Sequence, residues 1–482
     1  MTNERNLTML TDLYQLTMMY GYYKHGMAER NAVFDLFFRT GPSSSYALMA
    51  GLEQVAEYIE NLQFTPEDME YLRSLALFDD AFLRVLEGMR FTGEIFAMPE
   101  GTVVFPREPL LRVKAPIMEA QLIETAVLNI INHQTLIATK ASRIVHAAQG
   151  DGVLEFGLRR AQGPDAGIYG ARASIIGGCV ATSNVLTGQM YGIPVRGTHS
   201  HSWVMSFPDE LSAFRAYADV FPGNCLLLVD TYDTLRSGVP NAIRVFEELR
   251  AKGHKPVGIR LDSGDLAYLS KKARKMLDEA GFPETKIFVS NDLDEHLIWD
   301  LKSQNAAIDV WGVGTRMITS DQNPALGGVY KLAAEEEDGQ MVPKIKLSES
   351  IEKMTIPGLK QVVRLYDKPS GKATADLIIF DDEEVDDTRP ITIFDPMQPY
   401  KRMTLRNFMA RRMLVPIFRE GKRVAELPNL ETIRAYAHAE MDTLWDEYKR
   451  LVNPHVYKVD LSQKLYDIRQ ELILKNTLDK EA

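Results

Sequence analysis

Short apolar runs, each followed by a polar turn and a helical pattern, recur through the middle of the chain. They occupy residues 152–156, 195–198, 225–230, 257–262, 286–291 and 309–314. Their spacing is mostly about 20 to 40 residues, the length of a βα unit, so the pattern predicts parallel strands that alternate with helices. With weaker candidates near Gly178 and Tyr330, the runs favour a (β/α) barrel over an open sheet.

The chain before residue 150 mixes helical and extended patterns. Residues 8–23 carry apolar side chains at helix-face spacing. A second helix is predicted to begin with Thr65 as its cap and Pro66 as its first residue. Prolines interrupt residues 93–115, a stretch that predicts short β-strands, and residues 119–148 predict a long amphipathic helix.

The composition is that of a soluble globular protein with an acidic balance. The chain has 482 residues and a net charge of −11, and this length predicts two or three domains. An acidic chain without a strong basic block argues against nucleic acid as a partner. No run approaches the roughly 18 apolar residues of a membrane span, so no membrane partner is expected.

The cysteines and the first residues bear on the compartment. Cys179 and Cys225 do not form a Cys-x-x-Cys pair, so neither a zinc ribbon nor a disulfide scaffold is expected. Such sparse cysteine usage fits a reducing compartment. Residues 1–6 lack the basic and apolar regions of a secretory signal. We therefore expect a cytoplasmic location.

Each of the six apolar runs ends in polar residues. These ends are 159–160, 198–201, 230–231, 262–265, 290–292 and 312–315. In parallel α/β folds the functional site lies at the carboxyl ends of the strands. The six ends together therefore predict one polar cup.

Glycines and carboxylates in these ends admit two interpretations. The Gly312–Thr315 loop and the Ser263-Gly264-Asp265 turn could bring backbone amides to a phosphate, or could be ordinary turns after strands. Asp230, Asp262, Asp265 and Asp292 could bind magnesium or ribose hydroxyls. For each aspartate taken separately, capping of the following helix is the stronger interpretation.

Arginines in the same ends suggest an acidic ligand. Arg159 and Arg160 could pair with a planar carboxylate through two hydrogen bonds, or could form structural salt bridges. Arg260 lies two residues before Asp262, so on a strand both side chains would share a face. An ion pair between those two residues is the alternative to a ligand contact.

Two histidines and one tyrosine complete the candidates. His199 and His201 would share a face on a strand and could bind zinc, could be satisfied structural residues, or could act as general base or nucleophile. Zinc is the weakest interpretation because no third soft ligand is nearby. Tyr14 could stack on a flat ring, although sequence physics alone favours a place in the core.

Taken in order, several segments of the chain resemble the nicotinate phosphoribosyltransferase family. They are TDLYQLT (11–17), FDLFFR (34–39), EFGLRRAQG (155–163), GG to TSN (177–184), GTHSHSW (197–203), RLDSGDL (260–266), GVGT (312–315) and KLSE (346–349), with Lys353 and 357–358. Each motif alone is weak, whereas the ordered set, from about residue 8 to about residue 360, is specific.

The resemblance implies a fold of the type II phosphoribosyltransferase kind. It comprises an N-terminal α/β sandwich over residues 1–150, a barrel-like domain over 151–360 and a C-terminal extension over 361–482. The implied reaction joins nicotinate to 5-phosphoribosyl 1-diphosphate and releases diphosphate. ATP hydrolysis would be coupled through a phosphorylated histidine, with Mg²⁺ as cofactor and a homodimer as the assembly.

The resemblance also assigns roles to residues. His201 matches the phosphorylated, catalytic histidine, and Asp262 lies near the ribose and the metal, with Asp292 as a second magnesium ligand. Gly312 and Gly314 would hold the 5′-phosphate. Arg159 is the first choice for the nicotinate carboxylate and Arg260 the second, while Tyr14 would stack on the ring from a neighbouring subunit. The other expected substrate-binding residues are Thr198, Ser202, Asp230, Ser263, Gly264 and Thr315.

Two other functions remain open from the sequence. A nicotinamide phosphoribosyltransferase would need an acceptor for the amide, and that family tends to place Asp where this chain has His199. A catalytically silent nucleotide-binding barrel is the second alternative, and the intact Arg159, His201 and Asp262 argue against it.

Overall fold

The structure is a computed structural model that describes residues 6–39, 46–348 and 353–478. It divides into two compact units, one made of Met1–Thr139 with Ala325–Ala482 and the other of Lys140–Pro324. None of the described helices combines the length and the apolar character that crossing a membrane requires. The predicted motif at 346–349 ends outside the described residues.

The N-terminal part of the first unit alternates helices and short strands. Its helices are α1 (Leu13–Lys24), α2 (Leu52–Glu60), α3 (Pro66–Ser74), α4 (Asp80–Gly88), α5 (Ile117–Leu122) and α6 (Glu124–Ala147), the last of which continues into the second unit. Its strands are β1 (Asn31–Phe38), β2 (Ala47–Leu48), β3 (Glu94–Ala97), β4 (Val103–Val104) and β5 (Leu111–Pro116). The start of α3 follows the sequence prediction, because the Thr65 hydroxyl accepts from the Asp68 amide at 3.2 Å and the Asp68 carboxylate accepts from the Thr65 amide at 2.8 Å.

The second unit is a parallel sheet surrounded by helices. Its strands are β6 (Gly152–Glu155), β7 (Ala181–Thr182), β8 (Leu226–Leu228), β9 (Gly258–Leu261), β10 (Lys286–Val289) and β11 (Val310–Val313). Its helices are α7 (Pro164–Ile176), α8 (Val185–Tyr191), α9 (His201–Met205), α10 (Glu210–Val220), α11 (Val239–Ala251), α12 (Leu266–Glu279), α13 (Glu295–Ser303) and α14 (Thr315–Ile318). The strand order is β7-β6-β11-β10-β9-β8, and every neighbouring pair is parallel.

The parallel sheet curves into a barrel-like wall. Side chains or glycines from all its strands line one internal cavity of about 380 Å³. The wall between β7 and β8 is completed by the segment 194–198, which bonds to Thr182 through the Pro194 carbonyl and the Arg196 amide. On its other side the Thr198 hydroxyl donates to the Leu226 carbonyl at 2.6 Å. The predicted barrel-like fold is confirmed.

One predicted strand of the barrel was wrong. Residues 195–198 form a single isolated bridge, between Val195 and Thr182, and no strand. Pro194 has no amide hydrogen to donate and Gly197 has no side chain to pack, so a regular ladder is disfavoured there. The segment therefore runs as an irregular link along the wall.

The C-terminal part of the chain belongs to the first unit and is mostly antiparallel. Its strands are β12 (Gly328–Glu337), β13 (Gln340–Pro343), β14 (Lys360–Asp367), β15 (Ala373–Phe380), β16 (Ile391–Phe394), β17 (Arg402–Leu405), β18 (Phe408–Arg412), β19 (Val415–Arg419), β20 (Lys422–Arg423) and β21 (Lys458–Leu461). Its helices are α15 (Leu430–Thr443), α16 (Asp446–Lys449) and α17 (Gln463–Leu478).

Strands from both ends of the chain share the main sheet of the first unit. Among the described residues this sheet has the order β13-β12-β1-β5-β3-β19-β20, and a second sheet has the order β18-β14-β15-β21. Tyr330 pairs with Leu36 in an antiparallel ladder, so its segment is not the barrel strand that the sequence suggested. Strand pairing thus joins residues that are distant in sequence into one compact unit, and the division into three segments at 150 and 360 stays a prediction.

A buried ion pair connects these two sheets. Lys360, at the start of β14, contacts the Asp35 carboxylate of β1 at 2.6 Å, and the two side chains are 1% and 4% exposed. The Lys360 ammonium also donates to the Gly358 carbonyl at 2.7 Å. Removing one member of such a pair leaves an uncompensated buried charge, which costs more than removing both.

We therefore expect Lys360→Met to lower the free energy of unfolding by about 3–5 kcal/mol. The double variant Asp35→Leu/Lys360→Met should recover most of that loss, because no buried charge is left alone. Urea denaturation monitored by circular dichroism measures both. The exposed ion pair of Arg215 with Glu248 provides the control, since Arg215→Met should leave the midpoint unchanged. A single variant that is as stable as the wild type would contradict this account.

Candidate functional site

Two adjoining cavities lie at the carboxyl ends of the parallel strands. One, of about 220 Å³, is lined by Phe156, Arg159, Arg160, Arg260, Asp262, Ser290, Asn291, Asp292, Gly312, Gly314 and Thr315. The other, of about 330 Å³, is lined by Phe156, Leu158, Arg159, Ser183, Gly197, Thr198, His199, Ser200 and Arg260. Phe156, Arg159 and Arg260 border both. The strand ends thus meet in a polar region of the kind that the sequence predicted.

The Asp230 carboxylate organises one side of this region. Its side chain follows β8 and is 1% exposed. One oxygen accepts from the Asp262 amide at 2.9 Å and from the Ser263 hydroxyl at 2.6 Å. The other oxygen contacts Nε2 of His201 at 3.1 Å. Asp230 therefore does not cap a helix; it joins the turn after β9 to the first residue of α9.

The contact with Asp230 fixes the tautomer of His201. A carboxylate only accepts hydrogen bonds, so Nε2 of His201 carries the proton and donates it. Nδ1 of the neutral ring is then left with a free lone pair. The His201 side chain is 38% exposed. Solvent and ligands can thus reach the ring.

His199 is placed differently from His201. Its Nε2 accepts from the Leu228 amide at 3.3 Å, and its ring packs edge-on against Tyr217 with 4.7 Å between the centroids. Burial lowers the pKa of His199 to about 4. The two histidines do not share a strand face, because His201 begins α9. The zinc interpretation, the weakest of the three, required a shared strand face that these residues do not have, and the geometry of His199 is that of a satisfied structural residue.

Arg260 and Asp262 form the ion pair that the sequence offered as an alternative. Nη2 of Arg260 lies 3.6 Å from the Asp262 carboxylate, and its Nε donates to the Ser290 hydroxyl at 3.0 Å. Ser290 in turn donates to Asp262. This network holds the ends of β9 and β10 together. Arg260 is thus less free to bind a ligand than Arg159.

Arg159 projects from a short 3₁₀ helix, Leu158–Arg160, after β6. The turn is held by the buried Glu155, which accepts from the Thr182 hydroxyl and the Gly157 amide. Burial raises the pKa of Glu155. Arg159 itself is exposed, and no described residue forms an ion pair or side-chain hydrogen bond with it. An uncompensated guanidinium at a cavity wall is suited to an anionic ligand.

Glycines are required where β11 meets the end of β6. A Cβ on Gly312 would lie 2.7 Å from the Phe156 ring, and one on Gly314 would lie 3.0 Å from the Phe156 carbonyl oxygen. Close packing thus leaves no room for a side chain at these two positions. Asn291, with φ of 123°, is a non-glycine residue in a strained conformation at the same cavity.

Some of the remaining candidate residues line the polar cavity, and others form contacts within the loops beside it. Asp292 and Thr315 line the polar cavity. The Ser202 hydroxyl is 2.6 Å from that of Ser200, and Gly264 turns with φ of 79°. Asp265 caps α12 by accepting from the Tyr268 amide at 3.0 Å, as the capping interpretation predicted.

Tyr14 lies in the first unit, on α1, and is 46% exposed. The prediction that Tyr14 belongs to the core was therefore wrong. Its ring is available for contact with a ligand or with another chain.

Comparison with known proteins identifies the family. Residues 9–132 match the model of the nicotinate phosphoribosyltransferase N-terminal domain, and residues 359–469 match that of the C-terminal domain. The nicotinate phosphoribosyltransferase of Bacillus subtilis (strain 168) is 48% identical over 99% of this chain and 97% of its own length. The chain belongs to the nicotinate phosphoribosyltransferase family.

Solved structures agree with this assignment. Human nicotinic acid phosphoribosyltransferase aligns with a TM-score of 0.86 and 32% identity, covering 96% of this chain and 99% of that one. The nicotinate-nucleotide pyrophosphorylase of Pyrococcus furiosus aligns with a TM-score of 0.70 at 24% identity, over 92% of this chain and 98% of that one. The second likeness concerns the fold alone. The family inferred from the ordered motifs is confirmed.

Several residues at the two cavities were not selected from the sequence. They are Phe156, Leu158, Ser183, Ser290 and Asn291. Ser290 and Asn291 stand in a polar strand end, which was the available signal, but the backbone strain of Asn291 has no sequence signature. Phe156 was hidden within an apolar run.

The burial of His199 predicts a pH effect on stability. The unfolded chain protonates His199 below a pKa of about 6.5, whereas the folded chain does so only near 4. Because the unfolded state binds more protons between these values, stability falls as the pH drops through this window, by at most ~1.4 kcal/mol per pH unit from this group.

The comparison of wild type with His199→Gln isolates this contribution. The glutamine amide oxygen can still accept from the Leu228 amide, while it carries no titratable proton. Urea unfolding at pH 7, 6 and 5 should give a shallower decline for the variant. Parallel declines in both proteins would show that His199 is not held neutral.

Proposed function

We propose that the chain transfers the phosphoribosyl group of 5-phosphoribosyl 1-diphosphate to the ring nitrogen of nicotinate, forming nicotinate mononucleotide and diphosphate. ATP hydrolysis is coupled to this step through phosphorylation of His201. The observation that carries the proposal is the convergence, at one edge of the parallel sheet, of an unpaired Arg159, the His201–Asp230 pair and the glycine loop 312–314. The family relationship supports the same reaction.

The nicotinate carboxylate binds Arg159 in this proposal. A guanidinium fork matches a carboxylate in two hydrogen bonds. Arg159 is exposed at the wall shared by the two cavities, whereas Arg260 is occupied by Asp262 and Ser290. Nicotinamide lacks the negative charge that this contact requires, so the acid is the preferred substrate.

The phosphoribosyl group occupies the polar cavity. The 5′-phosphate contacts the backbone of Gly312, Gly314 and Thr315, and at the two glycines a side chain would collide with Phe156. The transition state is oxocarbenium-like, with positive charge on the ribose and negative charge on the leaving diphosphate. In this proposal Asp262, 27% exposed at the cavity, accepts from ribose hydroxyls and stabilises that positive charge.

Residues suited to magnesium border the same cavity. Asp262 and Asp292 offer hard oxygen ligands at this cavity. Two carboxylates suit Mg²⁺, which usually takes one or two of them and completes its shell with water and phosphate oxygens. When bound there, the ion neutralises charge on the diphosphate.

His201 receives the γ-phosphoryl group of ATP. Its Nδ1 lone pair attacks the phosphorus, the bond to the bridging oxygen breaks, and ADP leaves with that electron pair. The Nε2–H group keeps its hydrogen bond to Asp230, whose carboxylate offsets the positive charge that develops on the ring. Water later cleaves the phosphorus–nitrogen bond, giving inorganic phosphate and restoring neutral His201.

A cytoplasmic homodimer is the expected working form. Tyr14 is exposed beside Leu10, Leu13 and Met18, which are also exposed apolar residues of or near α1. Such a patch suits contact with a second chain. In this proposal Tyr14 stacks on the pyridine ring bound by the neighbouring subunit.

Arg159→Ala should raise the Michaelis constant for nicotinate about ten- to a hundredfold, since a charge-assisted hydrogen-bonded pair contributes roughly 1.5–3 kcal/mol. The wild type should use nicotinate far better than nicotinamide, and the variant should lose most of that preference. Release of diphosphate measures both. Arg160→Ala is the matched control from the same turn and should have the smaller effect. Equal use of acid and amide by the wild type would refute the assignment.

His201→Ala should abolish labelling from γ-phosphate-labelled ATP and remove stimulation by ATP, while slow ATP-independent transfer remains. The label on the wild type should be acid-labile and base-stable, as a phosphohistidine is. Asp230→Asn should reduce labelling, because the amide cannot offset charge on the ring. His199→Gln is the control and should still label. Normal labelling of His201→Ala, or its loss in a folded His199→Gln protein, would show that the wrong histidine was chosen.

A further inference from the structure

Two arginines of the first unit share a small cavity that the proposed reaction does not use. Arg107 follows β4 and Arg469 lies on α17. The cavity has a volume of about 30 Å³. The rest of its lining is apolar: Met354, Ile356, Ile378, Pro396, Met397, Val459 and Leu461. Two cationic residues therefore line a space whose other lining residues have apolar side chains.

Neither guanidinium has an ion-pair partner within the part of the chain that the structure describes. Arg469 is 6% exposed, and its Nε is buried without a hydrogen-bond partner. Among the described residues, no carboxylate forms an ion pair with Arg107 or Arg469. An unpaired charge is costly to bury, and two like charges at one cavity increase that cost. Burial, and then the charge of Arg107, lower the pKa of Arg469.

Asp460, the acidic residue on which Arg107 acts, forms an ion pair with Lys458. The Asp460 carboxylate is 2.9 Å from the Lys458 ammonium and is 1% exposed. Burial raises the pKa of Asp460, and Lys458 and Arg107 oppose that rise. Asp460 thus forms its direct ion pair with Lys458 and acts on Arg107 only at longer range.

The backbone at Arg107 is strained. Its φ is 74°, in the left-handed region that non-glycine residues rarely adopt. The Arg107 amide donates to the Phe38 carbonyl at 2.7 Å, which holds the turn in place. Strain of this kind is often found where a side chain is held for a ligand.

We propose that Arg107 and Arg469 form a binding site for a tetrahedral oxyanion of the phosphate class. Because one water needs about 10–15 Å³ of such space, the cavity has room for two or three waters, comparable to one such anion. Guanidinium groups match oxyanion geometry through paired hydrogen bonds. The bound anion compensates both arginines and so stabilises the first unit. Its lining residues belong to the first unit and the proposed catalytic residues to the second, so the site can fail without affecting the proposed reaction.

Equilibrium dialysis of the full chain with radiolabelled inorganic phosphate tests the site. Arg469→Gln and Arg107→Gln should each bind one phosphate fewer per chain at saturation than the wild type. In the wild type, sulfate should displace the one phosphate that the variants do not bind, whereas chloride at equal ionic strength should not. Any phosphate bound by the catalytic residues is common to all three proteins and cancels in the comparison.

Thermal unfolding gives a second measurement. A ligand that binds the folded state raises the melting temperature, so phosphate at about a hundred times its dissociation constant should raise that of the wild type by about 2 °C more than that of either variant. Lys475→Gln, an exposed change on the same helix, controls for loss of one positive charge and should behave as the wild type. Equal phosphate binding and equal thermal shifts in wild type and both arginine variants would overturn the proposal, as would full competition by chloride.

Discussion

The buried carboxylate of Asp230 is the contact on which the geometry of the site depends. It accepts from the turn after β9 and from the first residue of α9, so it joins two loops that the parallel sheet only brings near each other. A carboxylate that is 1% exposed needs donors to compensate its charge. Asp262, Ser263 and His201 are those donors, and their positions follow from that requirement.

Close packing governs the opposite side of the cavity. The Phe156 ring and carbonyl approach the backbone of Gly312 and Gly314 so nearly that no side chain fits between them. The same approach leaves these two positions without side chains where they line the cavity. One side of the site therefore depends on charge compensation and the other on steric exclusion, and the parallel strands set the distance between the two.

The first unit is built from the two ends of the chain. Strand β12 pairs with β1, and strand β19 pairs with β3. The paired strands are about 300 residues apart in the sequence. Buried ion pairs hold elements of this unit together. The Arg364 guanidinium contacts Asp376 at 2.7 Å and Glu440 at 3.2 Å, and it donates to the Val103 carbonyl at 2.8 Å. One side chain thus ties β14 to β15, to α15 and to β4.

The sequence by itself determined the local elements and the family. Runs of apolar residues located β6 and β8–β11, Thr65 and Pro66 located the start of α3, and the ordered motifs identified the relatives, because these signals depend on neighbouring residues. Tertiary structure decided the rest. It placed Tyr330 in the antiparallel sheet, exposed Tyr14, separated His199 from His201 and paired Arg260 with Asp262. Those outcomes depend on contacts between residues far apart in the chain, where burial and charge compensation, rather than local pattern, set the lowest free energy.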